Sequence, residues 1–331
     1  MSTEQILILS PNWLGDAVMA MPAVKRFRRE NPTARVTMLA KPVAAPLWRL
    51  HDSLDEVLVL EKGNSATFAM ARLLRQRHFS KAYILPNSFR SALIPFLAGI
   101  KIRRGTAFHG RWVMINDRVS FASDESAGHK LHQANEYMKL LCGTTTGNLS
   151  DTGFHPPVPA LLQELALGKT DIPVCIIPGA ARGDSKRWPY FAEAAKAILT
   201  QRPECRFLVT GSSAEVDLCT RVATAIGDRA ICVAGRTGLV EFAALLGHCR
   251  LVLCNDSGGM HLASAAGVPV VAVYGLTDPE KTGPLGAQAI VVRPDGVNAS
   301  RAISRHSQAA TAALASISAD RVATLCLAEL A

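Results

Sequence analysis

The sequence of 331 residues lacks the signatures of membrane-spanning and exported proteins. It has no uncharged apolar run of about 18 residues, so we expect no segment to span a membrane. The first apolar run, ILILS, is preceded by no basic residue, which favours a strand and a turn over a signal peptide. We therefore expect a cytoplasmic protein.

Several catalytic and metal-binding motifs are also absent. There is no GxGxxG after the first strand, no GxxxxGK[ST], no GxSxG, no Asp-x-Asp and no spaced set of His or Cys ligands. A dehydrogenase, a P-loop ATPase and a serine hydrolase are thereby disfavoured, and a metal-free enzyme that handles a diphosphate compound fits better. The eight cysteines form no CxxC pair and lie mostly in apolar runs, which predicts buried, reduced thiols.

Positive charge is concentrated in the first half of the chain. Residues 1–165 carry 20 Lys and Arg against 13 Asp and Glu, whereas residues 166–331 carry 16 against 14. This excess indicates an anionic partner such as nucleic acid, a phosphorylated glycolipid or an acidic membrane surface. A merely solvated basic face is an equally open interpretation.

Apolar runs alternate with helical patterns in both halves, from ILILS, RVTMLA and EVLVL to VCIIPG and LVLCND. The alternation indicates βαβ units and parallel sheets. We predict two doubly wound α/β domains, residues 1–168 and 169–331, with the last helix as a candidate for packing back on the first domain. Because open parallel sheets bind ligands beyond the carboxyl ends of their strands, the loops there are the candidate sites.

The loop NDSGGMH, which follows the strand LVLC, has two open interpretations. Its glycines permit a tight turn and close approach to a ligand, and the next helix would point its free N–H groups at a phosphate. Alternatively, Asp256 or Ser257 simply caps that helix. His261, about one turn into the helix, could equally be a packed residue.

Two other loops carry charged residues at predicted strand ends. PGAARGDSKRWP holds three cations, Arg182, Lys186 and Arg187. They would neutralise a diphosphate, although a solvated loop lysine is the commoner case. Trp188 and Pro189 are predicted to fix the start of the following helix. In SPNWLGDAV, Asp16 is either a helix N-cap or a general base that accepts a proton from an attacking hydroxyl.

Four segments, taken in order, resemble one enzyme family. ILILSPNWLGDAVMAMPAVKRFRRENP, YILPNSFRSALIPFLAGIKIRRG, PGAARGDSKRWPYFAEAAKAI and NDSGGMHLASAAGVPVVAVYGLTDPEKTGPLG are similar to the ADP-heptose:lipopolysaccharide heptosyltransferases of glycosyltransferase family nine. The resemblance covers nearly the whole chain. LPNSFRSALIPFLAGI is more similar to the heptosyltransferase II branch than to heptosyltransferase I, whose threonine pair is absent from GAARGDSK. Gly259 stands where some members carry Leu.

The resemblance implies a GT-B fold, with two facing Rossmann-like domains and an interdomain cleft. The first domain would hold a phosphorylated lipid A-Kdo-heptose acceptor and the second ADP-heptose. The implied reaction is an inverting transfer of L-glycero-D-manno-heptose onto a heptose of the inner core, with no cofactor and no metal. The implied location is peripheral, on the cytoplasmic face of the inner membrane. A nucleic-acid partner is not expected, because no nucleic-acid module is present and the positive charge is scattered.

The same resemblance implies roles for individual residues. Asp16 would be the general base, Lys186 would bind the diphosphate and Glu215 would hold the nucleotide ribose. The remaining donor-binding candidates are Asp256, Ser257, Gly258, Gly259, Met260 and His261. The acceptor-binding candidates are Asn12, Asn87, Ser88, Arg90 and Arg104. Lys101, Arg103 and Arg111 join Arg90 and Arg104 as candidates for contact with the acceptor or a membrane surface.

Alternatives remain within and outside this reaction. One is heptosyltransferase I or another family-nine transferase with a different acceptor. Another is a catalytically idle homologue that binds a sugar nucleotide. Loss of the base or of the diphosphate lysine would be its hallmark, and both Asp16 and Lys186 are present.

Overall fold

The structure, a computed structural model, describes residues 3–108, 110–121, 131–158, 161–165, 167–181, 183–286, 288–297, 299 and 307–331. Its contacts divide the chain into two compact units, Met1–His155 (unit 1) and Pro156–Ala331 (unit 2). The division precedes the expected boundary at 168/169. The reason is that a short helix, Leu161–Glu164, belongs to unit 2, where Glu164 Oε2 accepts from Arg236 Nη2 at 3.0 Å.

Unit 1 is built on a six-stranded parallel sheet in the order β3-β2-β1-β4-β5-β6. Its strands are β1 (Gln5–Leu9), β2 (Arg35–Ala40), β3 (Glu56–Val59), β4 (Lys81–Ile84), β5 (Ile102–Gly105) and β6 (Asp117–Arg118). Its helices are α1 (Leu14–Glu30), α2 (Ala45–Trp48), α3 (Asn64–Gln76), α4 (Phe89–Leu97) and α5 (Gln133–Cys142).

Helices cover the unit 1 sheet, and this explains why its central strand is apolar along its length. Ile6, Leu7 and Ile8 of β1 are fully buried. Their alternate side chains point to opposite faces, so both faces of the sheet must be covered. α1 packs against α5, and α3 packs against α4.

Unit 2 has a second six-stranded parallel sheet, in the order β12-β11-β10-β7-β8-β9. Its strands are β7 (Ile172–Ile177), β8 (Cys205–Val209), β9 (Ala230–Cys232), β10 (Leu251–Asn255), β11 (Val270–Val273) and β12 (Ala289–Val292). Its helices are α6 (Leu161–Glu164), α7 (Phe191–Gln201), α8 (Val216–Ile226), α9 (Leu239–Gly247), α10 (Gly258–Ala265), α11 (Pro279–Thr282), α12 (Gln308–Ala315) and α13 (Ala319–Leu330). Two 3₁₀ turns, Asp184–Lys186 and Ser213–Glu215, follow β7 and β8.

The last helix, α13, packs against α7 within unit 2. Val322 and Cys326 are buried in the unit 2 core, and Arg202 Nη1 donates to the Leu330 carbonyl at 2.5 Å. Across the described ranges, no single helix is long and apolar enough to cross a membrane. α12 and α13 reach that length only together, with a bend of 60° between them.

The two sheets share one strand order, and each has one switch point where the winding direction reverses. In unit 1 the switch lies between β1 and β4, and in unit 2 it lies between β7 and β10. The prediction of two doubly wound α/β sheets is therefore confirmed. Ligands of such sheets bind at the carboxyl ends of the strands beside the switch. The loops after β1, β4, β7 and β10 are thus the places to look for a site.

Candidate active site

The loops after β7 and β10 bring two predicted donor-binding residues into contact. Lys186 Nζ forms an ion pair with Asp256 Oδ2, and the two side chains are only 14% and 9% exposed. Lys186 ends the 3₁₀ turn after β7, and Asp256 follows β10 directly. Because each charge is shielded from water, the pair tolerates loss of one partner poorly. The ion pair therefore fixes an ammonium group at the switch point of unit 2.

Asn255 holds the loop that carries Lys186, a role that the sequence analysis missed. Its Oδ1 accepts from Trp188 N at 2.9 Å, and its Nδ2 donates to the Pro178 carbonyl at 2.8 Å. Trp188 is buried and its Nε1 donates to the Ile317 carbonyl at 2.9 Å, which confirms its predicted role in fixing the start of α7. The one available signal for Asn255 was a polar side chain at the end of an otherwise apolar strand.

The start of α10 is not capped by the side chains expected to cap it. Ser257 is the N-cap residue, but its side chain makes no capping hydrogen bond. Within the described part of the chain its buried Oγ has no hydrogen-bond partner. The capping interpretation of this loop is therefore wrong, and a buried hydroxyl without a partner is costly unless a ligand satisfies it.

Gly259 lies where α10 approaches β7 too closely for a side chain. A Cβ at this position would lie 2.9 Å from Ile177 Cδ1 and 3.3 Å from Phe242 Cζ. Gly258 precedes it as the first residue of α10. Gly259 thus lets the helix start directly beside the strand that leads to Lys186.

Met260 and His261 face the interior of unit 2. Met260 is fully buried and its Sδ accepts from the Tyr274 hydroxyl at 3.3 Å, while His261 is 5% exposed. Burial, with a smaller contribution from Asp256, raises the pKa of Tyr274 well above its ordinary value, so this hydroxyl stays protonated. Contact of Met260 and His261 with a donor stays a prediction.

Glu215, in the 3₁₀ turn after β8, lies against Gly179 in the loop that follows β7. Its Oε2 accepts from Ser212 N at 2.9 Å and from Ser212 Oγ at 2.7 Å, which forms a capping box. Its Oε1 occupies the space that a Cβ of Gly179 would need. Gly179 therefore leaves room for the carboxylate, and Glu215 joins the edge that holds Lys186 and Asp256.

Asp16 lies at the switch point of unit 1, in the first turn of α1. Trp13, not Asp16, is the N-cap residue of that helix, so the N-cap interpretation is wrong. Gln133 Nε2 donates to Asp16 Oδ1 at 3.2 Å and to the Tyr137 hydroxyl at 2.9 Å. Burial, followed by the charge of Asp16, raises the pKa of Tyr137 well above its ordinary value. α5 thus presents two neutral polar groups around the carboxylate, and no sequence pattern pointed to Gln133.

Three acceptor-binding candidates lie on the loops after β1 and β4. Asn12 is half-buried beside α1, and Asn87 and Ser88 are exposed. Asn87 Oδ1 accepts from Thr106 Oγ1 at 2.5 Å, and Ser88 Oγ accepts from Ser91 N at 3.3 Å as the N-cap of α4. Their placement beside the switch point agrees with the expectation, and their contact with an acceptor stays a prediction.

The candidate arginines of unit 1 are engaged with protein groups. Arg104 Nη1 lies 3.0 Å from Asp117 Oδ1, and Arg90 Nε donates to Thr67 Oγ1 at 2.7 Å. Arg103 Nε donates to the Met114 carbonyl at 2.6 Å, and Lys101 is exposed. Arg111 is fully buried, so its predicted contact with a membrane surface is wrong. Burial lowers its pKa, because its described acceptors are all neutral.

The described residues show whether side chains are grouped to hold a metal ion and where the cysteines lie. Within the ranges that the structure describes, no group of three or more His, Cys, Asp or Glu side chains could hold a metal ion. All eight cysteines are free and six are buried, which agrees with their predicted positions in apolar runs. Arg182 lies outside the described residues, and Arg187 is half-buried.

Known sequences place the chain among glycosyltransferases. The family described as glycosyltransferase family 9 (heptosyltransferase) matches residues 67–312, a range that includes Lys186, Glu215 and Asp256 but begins after Asp16. Lipopolysaccharide heptosyltransferase 2 of Escherichia coli K12 is 29% identical over 317 residues, which cover 87% of this chain and 88% of that protein. Lipooligosaccharide heptosyltransferase 2 of Haemophilus influenzae is 29% identical over 308 residues, with the same coverage of 87% and 88%.

Solved structures agree with this placement. The structure of E. coli ADP-heptose lps heptosyltransferase II matches with a TM-score of 0.80 at 25% identity, over 98% of each chain. E. coli heptosyltransferase WaaC with ADP matches in fold, with a TM-score of 0.74 at 18% identity over 98% of this chain and 99% of that one. These likenesses confirm the expected GT-B fold. With a family match over most of its length, this chain belongs to glycosyltransferase family 9 and is a glycosyltransferase.

Proposed function

We propose that this chain catalyses the inverting transfer of L-glycero-D-manno-heptose from ADP-heptose to a heptose of the lipopolysaccharide inner core. One observation carries the proposal. The switch point of each sheet holds one of the two groups that such a transfer needs, a carboxylate (Asp16) in unit 1 and a lysine ammonium (Lys186) in unit 2. The heptosyltransferase relatives suggest the donor and acceptor classes.

The transfer is a single in-line displacement. The acceptor hydroxyl oxygen bonds to the anomeric carbon while the bond from that carbon to the diphosphate oxygen breaks, and the hydroxyl proton passes to Asp16. A general base in this position typically contributes about 10²- to 10⁴-fold. Gln133, which donates to Asp16 Oδ1, orients the carboxylate without competing for the proton.

Lys186 stabilises the departing ADP. The diphosphate gains negative charge as the bond breaks, and an ammonium group held in a mostly buried position stabilises that charge strongly. Ser257 Oγ, buried and without a protein partner among the described residues, supplies a hydrogen-bond donor for a phosphate or sugar oxygen. Metal independence is part of the proposal, because the ammonium does electrostatically what a divalent cation does for other diphosphate donors.

The acceptor in this proposal is phosphorylated lipid A-Kdo-heptose, and the enzyme lies peripherally on the cytoplasmic face of the inner membrane. Unit 1 supports this assignment by its charge. It carries 20 Lys and Arg against 12 Asp and Glu, whereas unit 2 carries 16 against 15. A cationic unit attracts a phosphorylated glycolipid and an anionic lipid surface alike.

The test is ADP release from ADP-L-glycero-β-D-manno-heptose in the presence of EDTA, with core acceptors that carry either no heptose or one heptose. We expect release only with the one-heptose acceptor. Release with the heptose-free acceptor would reassign the chain to heptosyltransferase I, and a need for added metal would refute metal independence. If the chain binds ADP but releases none from ADP-heptose with either acceptor, a catalytically idle homologue would be favoured.

A further inference from the structure

Exposed hydrophobic side chains are unevenly distributed in this protein. Among the described residues, twelve large hydrophobic side chains are exposed, and ten of them belong to unit 1. The six aromatic ones are all in unit 1. Single exposed hydrophobic residues need no explanation, but a contiguous group marks an interaction surface.

Two arginines hold three loops of unit 1 side by side at the carboxyl edge of the sheet. Arg90, in the first turn of α4, donates through Nε to Thr67 Oγ1 at 2.7 Å and through Nη2 to the Glu61 carbonyl at 2.7 Å. Arg111 donates through Nη1 to the Pro86 carbonyl at 2.7 Å and through Nη2 to the Thr106 carbonyl at 2.5 Å. The start of α3, the start of α4 and the loop after β5 are therefore tied together.

The exposed aromatic residues lie on these tied segments. Phe68 follows Thr67, Phe89 precedes Arg90, Trp112 follows Arg111, and the Phe108 carbonyl accepts from Arg111 Nε at 3.3 Å. Each of these side chains and the neighbouring Val113 is more than half exposed. We call these five residues the aromatic rim. Because the two arginines bond backbone and side-chain groups beneath it, the rim is presented on a fixed scaffold.

The sequence segment that carries the rim has charge of one sign, and acids flank it at Glu61 and Asp117. The 55 residues from Lys62 to Asn116 contain no Asp or Glu and ten Lys and Arg. Carboxylates elsewhere in unit 1 pair with three of the ten, Arg77, Lys81 and Arg104. Lys62 and Arg72 are exposed, and Arg72 lies one turn after Phe68 on the same face of α3.

We propose that the aromatic rim, with Lys62 and Arg72 beside it, seats unit 1 on the anionic surface of a lipid bilayer. Trp side chains concentrate at the level of the headgroups, and Phe side chains bury their rings at the boundary between headgroups and acyl chains. Lys and Arg next to them gain about 1 kcal/mol each from an anionic leaflet, which is roughly five-fold in partition. The positive charge of this segment, which is not interspersed with acids, matches the uniformly negative surface of an anionic leaflet. The inference rests on the proposed function in one respect, that the acceptor sugar is linked to lipid.

The experiment is co-sedimentation of the full chain with vesicles of phosphatidylethanolamine and phosphatidylglycerol, and with vesicles of phosphatidylcholine alone. We expect binding to the anionic vesicles only, weakened by salt. Replacing Lys62→Gln together with Arg72→Gln lowers the partition about 25-fold. Replacing Phe68→Ser together with Trp112→Ser lowers it about tenfold or more.

Matched controls come from unit 2. Lys196→Gln with Arg221→Gln removes two exposed cations, and Val158→Ser removes an exposed apolar side chain. These variants retain wild-type binding. Equal binding by the rim variants and the controls would overturn the proposal, as would equal binding to phosphatidylcholine. A rim variant that changes the oligomeric state in analytical ultracentrifugation but binds vesicles normally would assign the rim to contact between copies instead.

ADP release separates this surface from catalysis. With a water-soluble, one-heptose acceptor, all four variants turn over like the wild type, whereas with the acceptor embedded in vesicles the two rim variants show a raised acceptor KM. If the wild type releases no ADP with any acceptor, the proposed function fails while vesicle binding still tests the rim. Circular dichroism establishes that each variant is folded.

Discussion

Unit 1 and unit 2 share a strand order but use their charges in different ways. In unit 2, Lys186 and Asp256 neutralise each other in a mostly buried position, and the unit as a whole is close to neutral. In unit 1, Gln133 donates to Asp16, Arg111 is buried among neutral described acceptors, and cations and aromatic side chains reach the surface. One sheet topology thus carries a carboxylate with an amide donor at the switch point of unit 1 and a mostly buried ion pair at the switch point of unit 2.

The sharpest test of this contrast is Asp16→Ala. If unit 1 contributes proton transfer, kcat falls by about 10²- to 10⁴-fold while ADP affinity, which the proposal assigns to unit 2, is nearly unchanged. Steady-state kinetics and calorimetric titration with ADP measure the two quantities. Asp16→Asn is the matched variant, because it retains an oxygen for Gln133 but accepts no proton. A variant that kept most of its activity would remove Asp16 from the base role.

Lys186→Ala tests the opposite side of the contrast. Loss of the ammonium raises the donor KM and lowers kcat, together about 10²-fold in kcat/KM, because both ground-state and leaving-group charge lose their partner. Lys196→Ala, an exposed lysine of the same unit, serves as the control. An unaltered donor KM would contradict contact between Lys186 and the donor diphosphate. It would also remove the proposed difference in role between the two units.

We expect the loss of folding stability at acidic pH to originate in unit 1, at His51. Burial lowers the pKa of His51 to about 4 from its ordinary 6.5. The unfolded chain binds a proton near 6.5 and the folded chain only near 4, so the free energy of unfolding falls as pH falls between these values. The loss is about 2 kcal/mol between pH 7 and pH 5.

Thermal unfolding at the two pH values measures this difference. His51→Gln should unfold with a smaller dependence on pH than the wild type, whereas His155→Gln, a change at a side chain that is 75% exposed, should not alter the dependence. Equal pH dependence in all three proteins would place the acid-sensitive group elsewhere.

The smallest effect is expected at Gln133. Gln133→Leu removes the hydrogen bond that orients Asp16, so kcat falls about fivefold, in line with the loss of about 1 kcal/mol for one hydrogen bond. The acidic limb of the kcat profile against pH should also move, because the amide N–H stabilises the ionised carboxylate. Gln133→Asn, which shortens the side chain but retains the amide, should recover part of the rate. A lowered kcat with an unmoved pH profile would indicate a merely structural role.

Sequence patterns predicted the parts of this molecule that depend on local order. The alternation of apolar runs and amphipathic segments predicted both sheets, because strands covered on both faces must be apolar throughout. The position of Asp16, Lys186 and Asp256 after strand-like runs predicted their place at the carboxyl edge. Those inferences need only the chain direction and the topology of parallel sheets.

Features that depend on contacts between distant segments could not be predicted. Asp16 and Gln133 are separated by 117 residues, and Lys186 and Asp256 by 70, so neither pairing leaves a local signal. The positive charge of the first half makes Arg111 a candidate for contact with the acceptor or a membrane surface, yet carbonyls of the loops after β4 and β5 surround it. The short helix α6 packs against α9 of unit 2, so the contacts divide the chain before it, and no local pattern indicates that packing.

The pairing of Lys186 with Asp256 has a consequence for the end of the catalytic cycle. A carboxylate that already contacts the ammonium competes with any anion for it, so in the proposed reaction part of the attraction between Lys186 and ADP would offset the loss of that internal partner. Such competition weakens the hold on the spent nucleotide and on stray phosphate alike. Asp256 would therefore speed product departure, which in many enzymes limits turnover more than the chemical step does.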